Sequence, residues 1–285
     1  MENNAVLFTV AGSHVQLCGT AIASLCMHLP ANAGLKILVM QSDILMNDIY
    51  WLKAIPKNFA RPNVSVDVWE KPQVMAQVHL THQNERFPSV TLWRLFAPYI
   101  YQNYDKLLYL DNDVLICDNV LPLFDMLPEN KIMGVVNDFQ SFINVGFPEK
   151  SVWSEVDNFA QYFNSGVLLI DPKRYTDAYS ETTMVEAVNS ASYTFLDQTL
   201  LNRLITDRVA YLPLQYNYQK DDEWLAGFAK QRNPQQAAKI SVARKHVVIR
   251  HFVFTRPFSL PWEHGYIQDE FERDFWQTFY KVKMQ

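Results

Sequence analysis

Two carboxylates stand one residue apart, directly after a short apolar run. The run at residues 106–110 predicts a buried strand, and Asp111 and Asp113 follow it. In an extended segment residues i and i+2 point the same way, so both carboxylates can present oxygens to one cation. Mg²⁺ and Mn²⁺ prefer oxygen ligands and often share them with substrate phosphates. A solvated turn or a helix cap would leave the same pattern, so the pair alone does not decide.

The same spacing fits a second chemistry. Phosphatases of the haloacid dehalogenase superfamily place Asp-x-Asp after an apolar strand, with the first Asp as nucleophile and the second as general acid/base. In those enzymes the motif usually follows the first strand, whereas at least three other strands are predicted before it here. They also need a late acidic pair after an apolar strand, and the late pair Asp221-Asp222 follows polar residues. These observations weaken the phosphatase interpretation without removing it.

Strand and helix patterns alternate around this motif. Apolar runs bounded by turn residues predict strands at residues 5–11, 35–40, 64–69, 106–110, 131–136, 163–170 and 247–254. Helical patterns cover residues 15–29, 43–55 (ended by Pro56), 89–101 (with Pro98 expected to stop or kink it), 184–191 and 197–204. This order predicts an α/β fold with parallel strands and right-handed crossovers, which binds ligands at the carboxyl ends of its strands.

The composition limits the classes of binding partner and the cellular location that can be expected. The 285 residues are 49% hydrophobic and carry a net charge of −5, which is typical of a globular protein and argues against nucleic acid as a partner. Three cysteines without metal-type spacing predict reduced thiols and a cytoplasmic location. Neither a membrane span nor a signal peptide is predicted. Peripheral membrane contact through Lys281 and Lys283 stays open.

Four segments, in order along the chain, resemble glycosyltransferase family 8, which includes glycogenin and the bacterial lipopolysaccharide galactosyl- and glucosyltransferases. Residues 109–115 resemble the Asp-x-Asp segment of that family, and residues 162–170 resemble its Phe-Asn-(Ala/Ser)-Gly-Val segment. Residues 197–202 resemble its Asp-Gln-Asp-x-x-Asn segment, and His251 resembles its late metal-binding histidine. The resemblance covers most of the chain.

The resemblance implies a type A glycosyltransferase fold, a Rossmann-like, mostly parallel sheet with flanking helices. It implies one domain over residues 1–285, with a nucleotide-binding half at 1–135, a half for the donor sugar and acceptor at 136–260, and a helical tail at 261–285. The implied activity is retaining transfer of galactose or glucose from a UDP-sugar to a glycan or a lipid-linked oligosaccharide. The implied cofactor is Mn²⁺, with Mg²⁺ as the alternative.

The resemblance also implies the roles of individual residues. Asp111, Asp113 and His251 would hold the metal, and Asp197 and Gln198 would lie beside the reacting carbon as catalytic residues. A neutral amide is a poor nucleophile, so same-face attack with stabilisation by the Gln198 oxygen is favoured over double displacement, for which Asp197 is the nearby carboxylate. The residues implied to contact the donor are Val10, Ala11, Ser13, Arg94, Asn112, Asp138, Asn164, Phe254 and Arg256.

Two segments depart from the family pattern. Residues 9–14, after the first strand, lack the acidic residue that contacts uridine in the family, and Ser13 or His14 would have to replace it. In the late motif Phe254 stands in place of a glycine and Arg256 in place of a lysine, although arginine also suits a phosphate. A third interpretation follows from these departures, namely a degenerate protein that binds a sugar nucleotide without transferring the sugar.

Overall fold

The chain folds around a seven-stranded sheet in the computed structural model, which describes residues 3–79, 89–144, 155–157, 159–191 and 193–284. The strands are β1 (Asn4–Ala11), β2 (Leu35–Ser42), β3 (Val64–Trp69), β4 (Lys106–Leu110), β5 (Val114–Ile116), β6 (Met133–Asn137), β7 (Phe163–Ile170), β8 (Val209–Tyr211) and β9 (Ile249–His251). The helices are α1 (Val15–His28), α2 (Met46–Asn58), α3 (Trp93–Ile100), α4 (Phe139–Ile143), α5 (Pro172–Ala178), α6 (Glu181–Ser190), α7 (Leu196–Ile205), α8 (Asp222–Trp224), α9 (Lys230–Arg232), α10 (Pro234–Ala243) and α11 (Glu270–Lys283).

The first half of the sheet is parallel, as the alternation of strands and helices predicts. The order of the sheet is β3-β2-β1-β4-β7-β6-β8, and the neighbours from β3 to β4 are all parallel. Ala11 pairs with Ser42 at the ends of β1 and β2, and Phe8 of β1 pairs with Leu110 of β4. The carboxyl ends of these strands therefore meet at one edge, where Asp111 follows β4.

The second half of the sheet is mixed. β7 runs antiparallel to both of its neighbours, β4 and β6, and all eight of its residues are buried. Leu110 at the end of β4 pairs with Val167, so the beginning of β7 lies beside the residues that follow β4. The predicted type A fold with a mostly parallel sheet and flanking helices is confirmed. The antiparallel strand is what carries Asn164 to the edge where Asp111 lies.

A small second sheet joins two distant parts of the chain. β5 and β9 are antiparallel, and Val114 pairs with His251. The backbone N–H of Phe252 donates to the carbonyl of Asp113 at 2.8 Å, which extends this pairing by one residue. The strand predicted at 247–254 is shorter, since β9 ends at His251, and the pairing with β5 places that histidine beside the acidic motif.

Two prolines lie inside helices where the sequence predicts helix ends. The helix predicted at residues 43–55 begins at Met46 and continues through Pro56 to Asn58, so the predicted end was wrong. Pro98 lies inside α3. A proline in a helix removes one hydrogen bond, but both prolines are buried, and packing of the helix on the sheet offsets that loss.

Hydrophobic residues cover both faces of the sheet and form two buried clusters. Phe8, Val39 and Leu110 belong to the cluster under α1, α2 and α11, while Leu7, Tyr109 and Leu168 belong to the one under α3, α6 and α7. Alternate residues of the same strands thus point to opposite faces, as the strand period requires. Among the described residues, no helix combines the length and the hydropathy needed to cross a bilayer.

Candidate active site

Three predicted metal ligands converge at the carboxyl edge of the sheet. Asp111 follows β4, Asp113 precedes β5 and His251 ends β9, and one ligand atom from each lies within 4.8 Å of the others. His251 Nε2 is 3.2 Å from Asp113 Oδ1 and 3.8 Å from Asp111 Oδ2. The imidazole side chain is 4% exposed, whereas the carboxylates of Asp111 and Asp113 are 24% and 31% exposed. The cluster therefore opens to solvent on its acidic side.

The hydrogen bonds of Asn217 fix the protonation of the His251 ring. Nδ2 of Asn217 donates to Asn164 Oδ1 at 2.9 Å, which leaves its Oδ1 to accept from His251 Nδ1 at 3.0 Å. Nδ1 therefore carries the ring proton, and the lone pair of Nε2 faces the two carboxylates. A histidine that ligates a metal usually donates its other N–H in this way.

The donor set fits a divalent cation. Two carboxylate oxygens and one imidazole nitrogen converge, and these acceptors repel one another unless positive charge lies between them. Burial raises the pKa of Asp113, but the His251 ring beside it lowers that pKa overall. A cation such as Mn²⁺ or Mg²⁺ would supply the positive charge that these three acceptors need between them.

A buried arginine connects the cluster to the rest of the site. The Arg94 side chain is 4% exposed and lies 4.5 Å above the Tyr109 ring. Its Nη2 is 2.9 Å from Asp111 Oδ1, its Nε is 3.1 Å from Asp197 Oδ2, and its Nη1 donates to the Ser165 carbonyl at 2.7 Å. Burial lowers the pKa of Arg94, but the two carboxylates outweigh burial and raise it. Every nitrogen of the guanidinium thus has a protein partner.

Asp111 divides its two oxygens between the protein and the cluster. Tyr109 Oη donates to Asp111 Oδ1 at 2.6 Å and accepts from Thr9 Oγ1 at 3.1 Å. Oδ1 also faces Arg94, whereas Oδ2 faces His251. Tyr109 of β4, itself held by Thr9 of β1, and Arg94 of α3 therefore fix one oxygen and leave the other for a cation.

Asn112 joins the ends of β1 and β4. Its Nδ2 donates to the Thr9 carbonyl at 2.8 Å, and its buried Oδ1 has no hydrogen-bond partner among the described residues. The side chain turns away from the cation ligands on either side of it, toward the loop that the sequence assigns to the nucleotide. Its donor-binding role stays a prediction.

The two residues predicted to lie beside the reacting carbon are both held by hydrogen bonds. Gln198 Oε1 accepts from Asn164 Nδ2 at 3.1 Å and from the Ser165 N–H at 3.0 Å. Asp197 is 6% exposed and accepts from Ser165 Oγ at 3.2 Å in addition to its ion pair with Arg94. Burial raises the pKa of Asp197, with Arg94 acting in the opposite direction. The Gln198 oxygen is thus engaged by two donors, and both of these Asp197 contacts are made by Oδ2.

Asp138 lies at the corner between β6 and α4. Its Oδ1 caps α4 by accepting from the backbone N–H groups of Gln140 and Ser141 at 2.9 and 3.1 Å. Burial raises the pKa of Asp138, and the charge of Lys220 opposes that shift. One carboxylate oxygen thus supports the fold, and its predicted contact with the donor falls to the other.

Three of the remaining predicted donor residues lie at the end of β1 and in the loop that follows it. Val10 is buried in β1, Ala11 is half-buried and Ser13 is exposed. His14, one of the two suggested replacements for the missing acid, lies close enough to Asp113 to contribute to its lowered pKa, after burial and His251.

The side chains of the late motif lie in two different environments. Phe254 is 40% exposed. Arg256 is turned toward acidic residues, since its Nη2 is 2.6 Å from Glu223 Oε2 and its Nη1 is 3.7 Å from Asp221 Oδ2. A phosphate contact by Arg256 would require these ion pairs to open.

Four residues that support the site were not singled out from the sequence: Tyr109, Ser165, Gly166 and Asn217. Tyr109 precedes Asp111 by two residues in an extended segment, so the sequence could have predicted that both side chains point to the same side. Gly166 is required by space, because a Cβ there would lie 2.2 Å from His251 Cε1 and 2.7 Å from Asp111 Oδ2. Nothing in the sequence around Asn217 indicates its contact with His251.

The sheet topology is that of the type A glycosyltransferase fold, with the cluster at its carboxyl edge. The chain belongs to glycosyl transferase family 8, whose sequence profile matches residues 5–263. The match includes the three cluster residues and both departing segments.

Relatives of known sequence are similar to part of the chain. Glycosyltransferase GlyB of Streptococcus pneumoniae serotype 4 is 26% identical over 219 residues, which cover 76% of this chain and 48% of that protein. The lipopolysaccharide 1,2-glucosyltransferase of Escherichia coli K12 is 30% identical over 148 residues, which cover 48% of this chain and 42% of that protein. The chain thus spans about half the length of these curated relatives or less.

Solved structures share the fold at low sequence identity. The galactosyltransferase LgtC, in complex with donor and acceptor sugar analogs, superposes with a TM-score of 0.70 at 21% identity and covers 97% of this chain and 95% of that one. The bifunctional glycosyltransferase WbbM superposes with a TM-score of 0.77 at 22% identity, covering 100% of this chain and 52% of that one.

Replacing Gly166 with alanine tests the geometry of the cluster. The added methyl group would push the His251 ring and the Asp111 carboxylate apart, because it would occupy the space where they meet. We expect the affinity for Mn²⁺, measured by electron paramagnetic resonance with UDP present, to fall about 10-fold or more. Gly34→Ala is the control, since its Cβ would meet only the Asn63 carbonyl at 3.8 Å. Unchanged Mn²⁺ affinity in Gly166→Ala would contradict the assignment of the cluster as the metal site.

Proposed function

We propose that the chain transfers galactose or glucose from a UDP-sugar to a hydroxyl group of a glycan or a lipid-linked oligosaccharide, with retention of configuration and with Mn²⁺ or Mg²⁺. The observation that carries the proposal is the convergence of Asp111, Asp113 and His251 within 4.8 Å at the carboxyl edge of the sheet. The names of the relatives support it, because they include a lipopolysaccharide glucosyltransferase and a galactosyltransferase bound to donor and acceptor analogs. The division into a nucleotide half, an acceptor half and a helical tail belongs to the same proposal.

The cluster would hold the cation against the diphosphate of the donor. Asp111 Oδ2, one oxygen of Asp113 and His251 Nε2 would be the ligand atoms. When bound, the cation supplies the positive charge that stabilises the departing diphosphate. Arg94 holds the Asp111 carboxylate in place, while the Asn217 contact would leave the lone pair of His251 Nε2 for the cation.

The surroundings of Asp197 and Gln198 favour same-face attack over a double displacement. The Asp197 carboxylate is buried and paired with Arg94, which makes it a weak nucleophile. The Gln198 oxygen already accepts two hydrogen bonds, so its contribution at the reacting carbon is electrostatic rather than covalent. Asn164 connects both sides of this site, because it contacts Gln198 and Asn217. Its part is to align the donor sugar with the cation ligands.

The degenerate sugar-nucleotide-binding protein is the second candidate function. It is favoured by the ion pairs of Arg256 with Asp221 and Glu223 and by the loop at residues 9–14, which lacks the acidic residue of the family. The phosphatase interpretation is not favoured. Its nucleophile would be Asp111, whose Oδ1 is occupied by Arg94 and Tyr109.

Donor hydrolysis without acceptor separates transfer from mere binding. We expect the chain to release UDP slowly from UDP-galactose or UDP-glucose in the presence of Mn²⁺. Asp113→Asn should lower that rate by about 100-fold or more, because the cation contributes several kcal/mol to the leaving group. Asp177→Asn is the control, since its exposed pair with Lys173 lies outside the site. Tight UDP binding with no hydrolysis of either donor would establish the degenerate candidate.

The reaction path is tested at Asp197 by protein mass spectrometry during turnover. Same-face attack predicts no hexosyl adduct on the protein and a product of the same anomeric configuration as the donor. Asp197→Asn should lower the free energy of unfolding by about 3 kcal/mol, because the variant leaves Arg94 with one carboxylate fewer. Asp171→Asn is the matched control, because Asp171 is also a buried aspartate paired with a cation, Lys106. At temperatures below its melting temperature, this variant should hydrolyse the donor at an unchanged rate. A hexose trapped on Asp197 would overturn same-face attack.

A further inference from the structure

Lys220 is a buried lysine without a hydrogen-bond or ion-pair partner among the described residues. The residue is 8% exposed. None of the described residues accepts a hydrogen bond from its Nζ or forms an ion pair with it. Its Nζ lies over the Trp224 ring, 5.6 Å from the ring centroid. A charged side chain that is largely buried and has no hydrogen bond from the described residues is costly, which favours a ligand at this place.

The segment that carries Lys220 is fixed to the candidate active site at two points. Backbone hydrogen bonds join Tyr218 to β9, including one from the His251 N–H to the Tyr218 carbonyl at 2.9 Å. Gln219 Oε1 accepts from the Phe139 N–H at 2.9 Å, and its Nε2 donates to the Asn137 carbonyl at 2.9 Å. Lys220 follows directly and therefore lies between the end of β9 and the corner that holds Asp138.

The charges around Lys220 leave it unpaired. Burial lowers the pKa of Lys220. The charges of Asp138 and Asp221 act to raise that pKa, and the charges of Arg250 and Arg256 act to lower it. Asp138 Oδ1 already caps α4, while Asp221 accepts from the Trp224 N–H at 2.6 Å and pairs with Arg256. Neither carboxylate is within ion-pair distance of the Lys220 ammonium.

We propose that Lys220 binds a negatively charged substituent, a carboxylate or a phosphate, of the acceptor sugar. This inference rests on the proposed function, in which the diphosphate of the donor lies on the cation held by Asp111 and Asp113 and the donor hexose is neutral. Lys220 follows Gln219, whose side chain is hydrogen-bonded on both sides of Asp138, so it lies on the donor-sugar side of the site and the anion that it binds is a separate one. The acceptor must supply it. The chemical class of the acceptor is thus an acidic or phosphorylated saccharide.

Binding of simple sugars to the protein saturated with UDP and Mn²⁺ tests the inference. Glucuronic acid and glucose 6-phosphate are the charged probes, glucose is the neutral one, and the dissociation constants are measured by calorimetry or NMR titration. We expect at least one charged sugar to bind about 10-fold more tightly than glucose, as a charge-assisted hydrogen bond provides. Whichever charged probe is preferred identifies the substituent as carboxylate or phosphate. Equal binding of all three sugars, or binding of none, would overturn the inference.

Two variants assign the preference to Lys220. Lys220→Met keeps the length of the side chain without its charge and should abolish the preference, whereas Lys230→Met, at an exposed position, should keep it. The melting temperature of Lys220→Met should stay the same or rise, because an unpaired buried charge is replaced by an apolar group. A preference that survives in Lys220→Met, or a marked fall in its melting temperature, would show that the lysine serves the fold instead.

Two further titrations separate this inference from the proposed function. If UDP does not bind with Mn²⁺ but charged sugars still bind in a Lys220-dependent way, the proposed function fails and anion binding by Lys220 stands. If UDP-glucuronic acid binds more tightly than UDP-glucose and Lys220→Met removes the difference, the charge belongs to the donor sugar and the acceptor assignment is overturned.

Discussion

One buried guanidinium holds together the parts of the chain that form the site. Arg94 contacts Asp111 at the end of β4, Asp197 on α7 and the carbonyl of Ser165 in β7. A charge that is 4% exposed loses most of its hydration, and only well-placed carboxylates and carbonyls offset that loss. Because the guanidinium is planar and rigid, it fixes the distances between these three elements as well as joining them.

The rest of the site follows from how Asp111 divides its oxygens. Oδ1 belongs to the structural network with Arg94 and Tyr109, while Oδ2 faces His251 and Asp113. The β5–β9 pairing brings His251 to the cluster from a distant part of the chain, and Asn217 sets which ring nitrogen carries the proton. A cation bound at this cluster would therefore be coupled to the packing of the sheet, since the Asp111 carboxylate takes part in both.

The sequence could predict whatever depends on local pattern or on family motifs. The parallel strands, the strand before Asp111 and the convergence of Asp111, Asp113 and His251 were all predictable, because they rest on hydrophobic period and recognisable segments. The antiparallel direction of β7 was not, since an apolar run carries no information on direction. The helix through Pro56 was missed because tertiary packing outweighs one lost hydrogen bond. The contact of Asn217 with His251 and the ion pairs of Arg256 depend on long-range geometry that spacing does not reveal.

The central claim is that Asp111, Asp113 and His251 hold a cation that binds the diphosphate of a uridine nucleotide. Calorimetric titration of the protein with UDP, first with Mn²⁺ and then with a chelator, tests it most directly. The account predicts tight binding with Mn²⁺ and loss of that binding when the chelator removes the metal. Equal affinity for UDP under both conditions, or no binding under either, would contradict it.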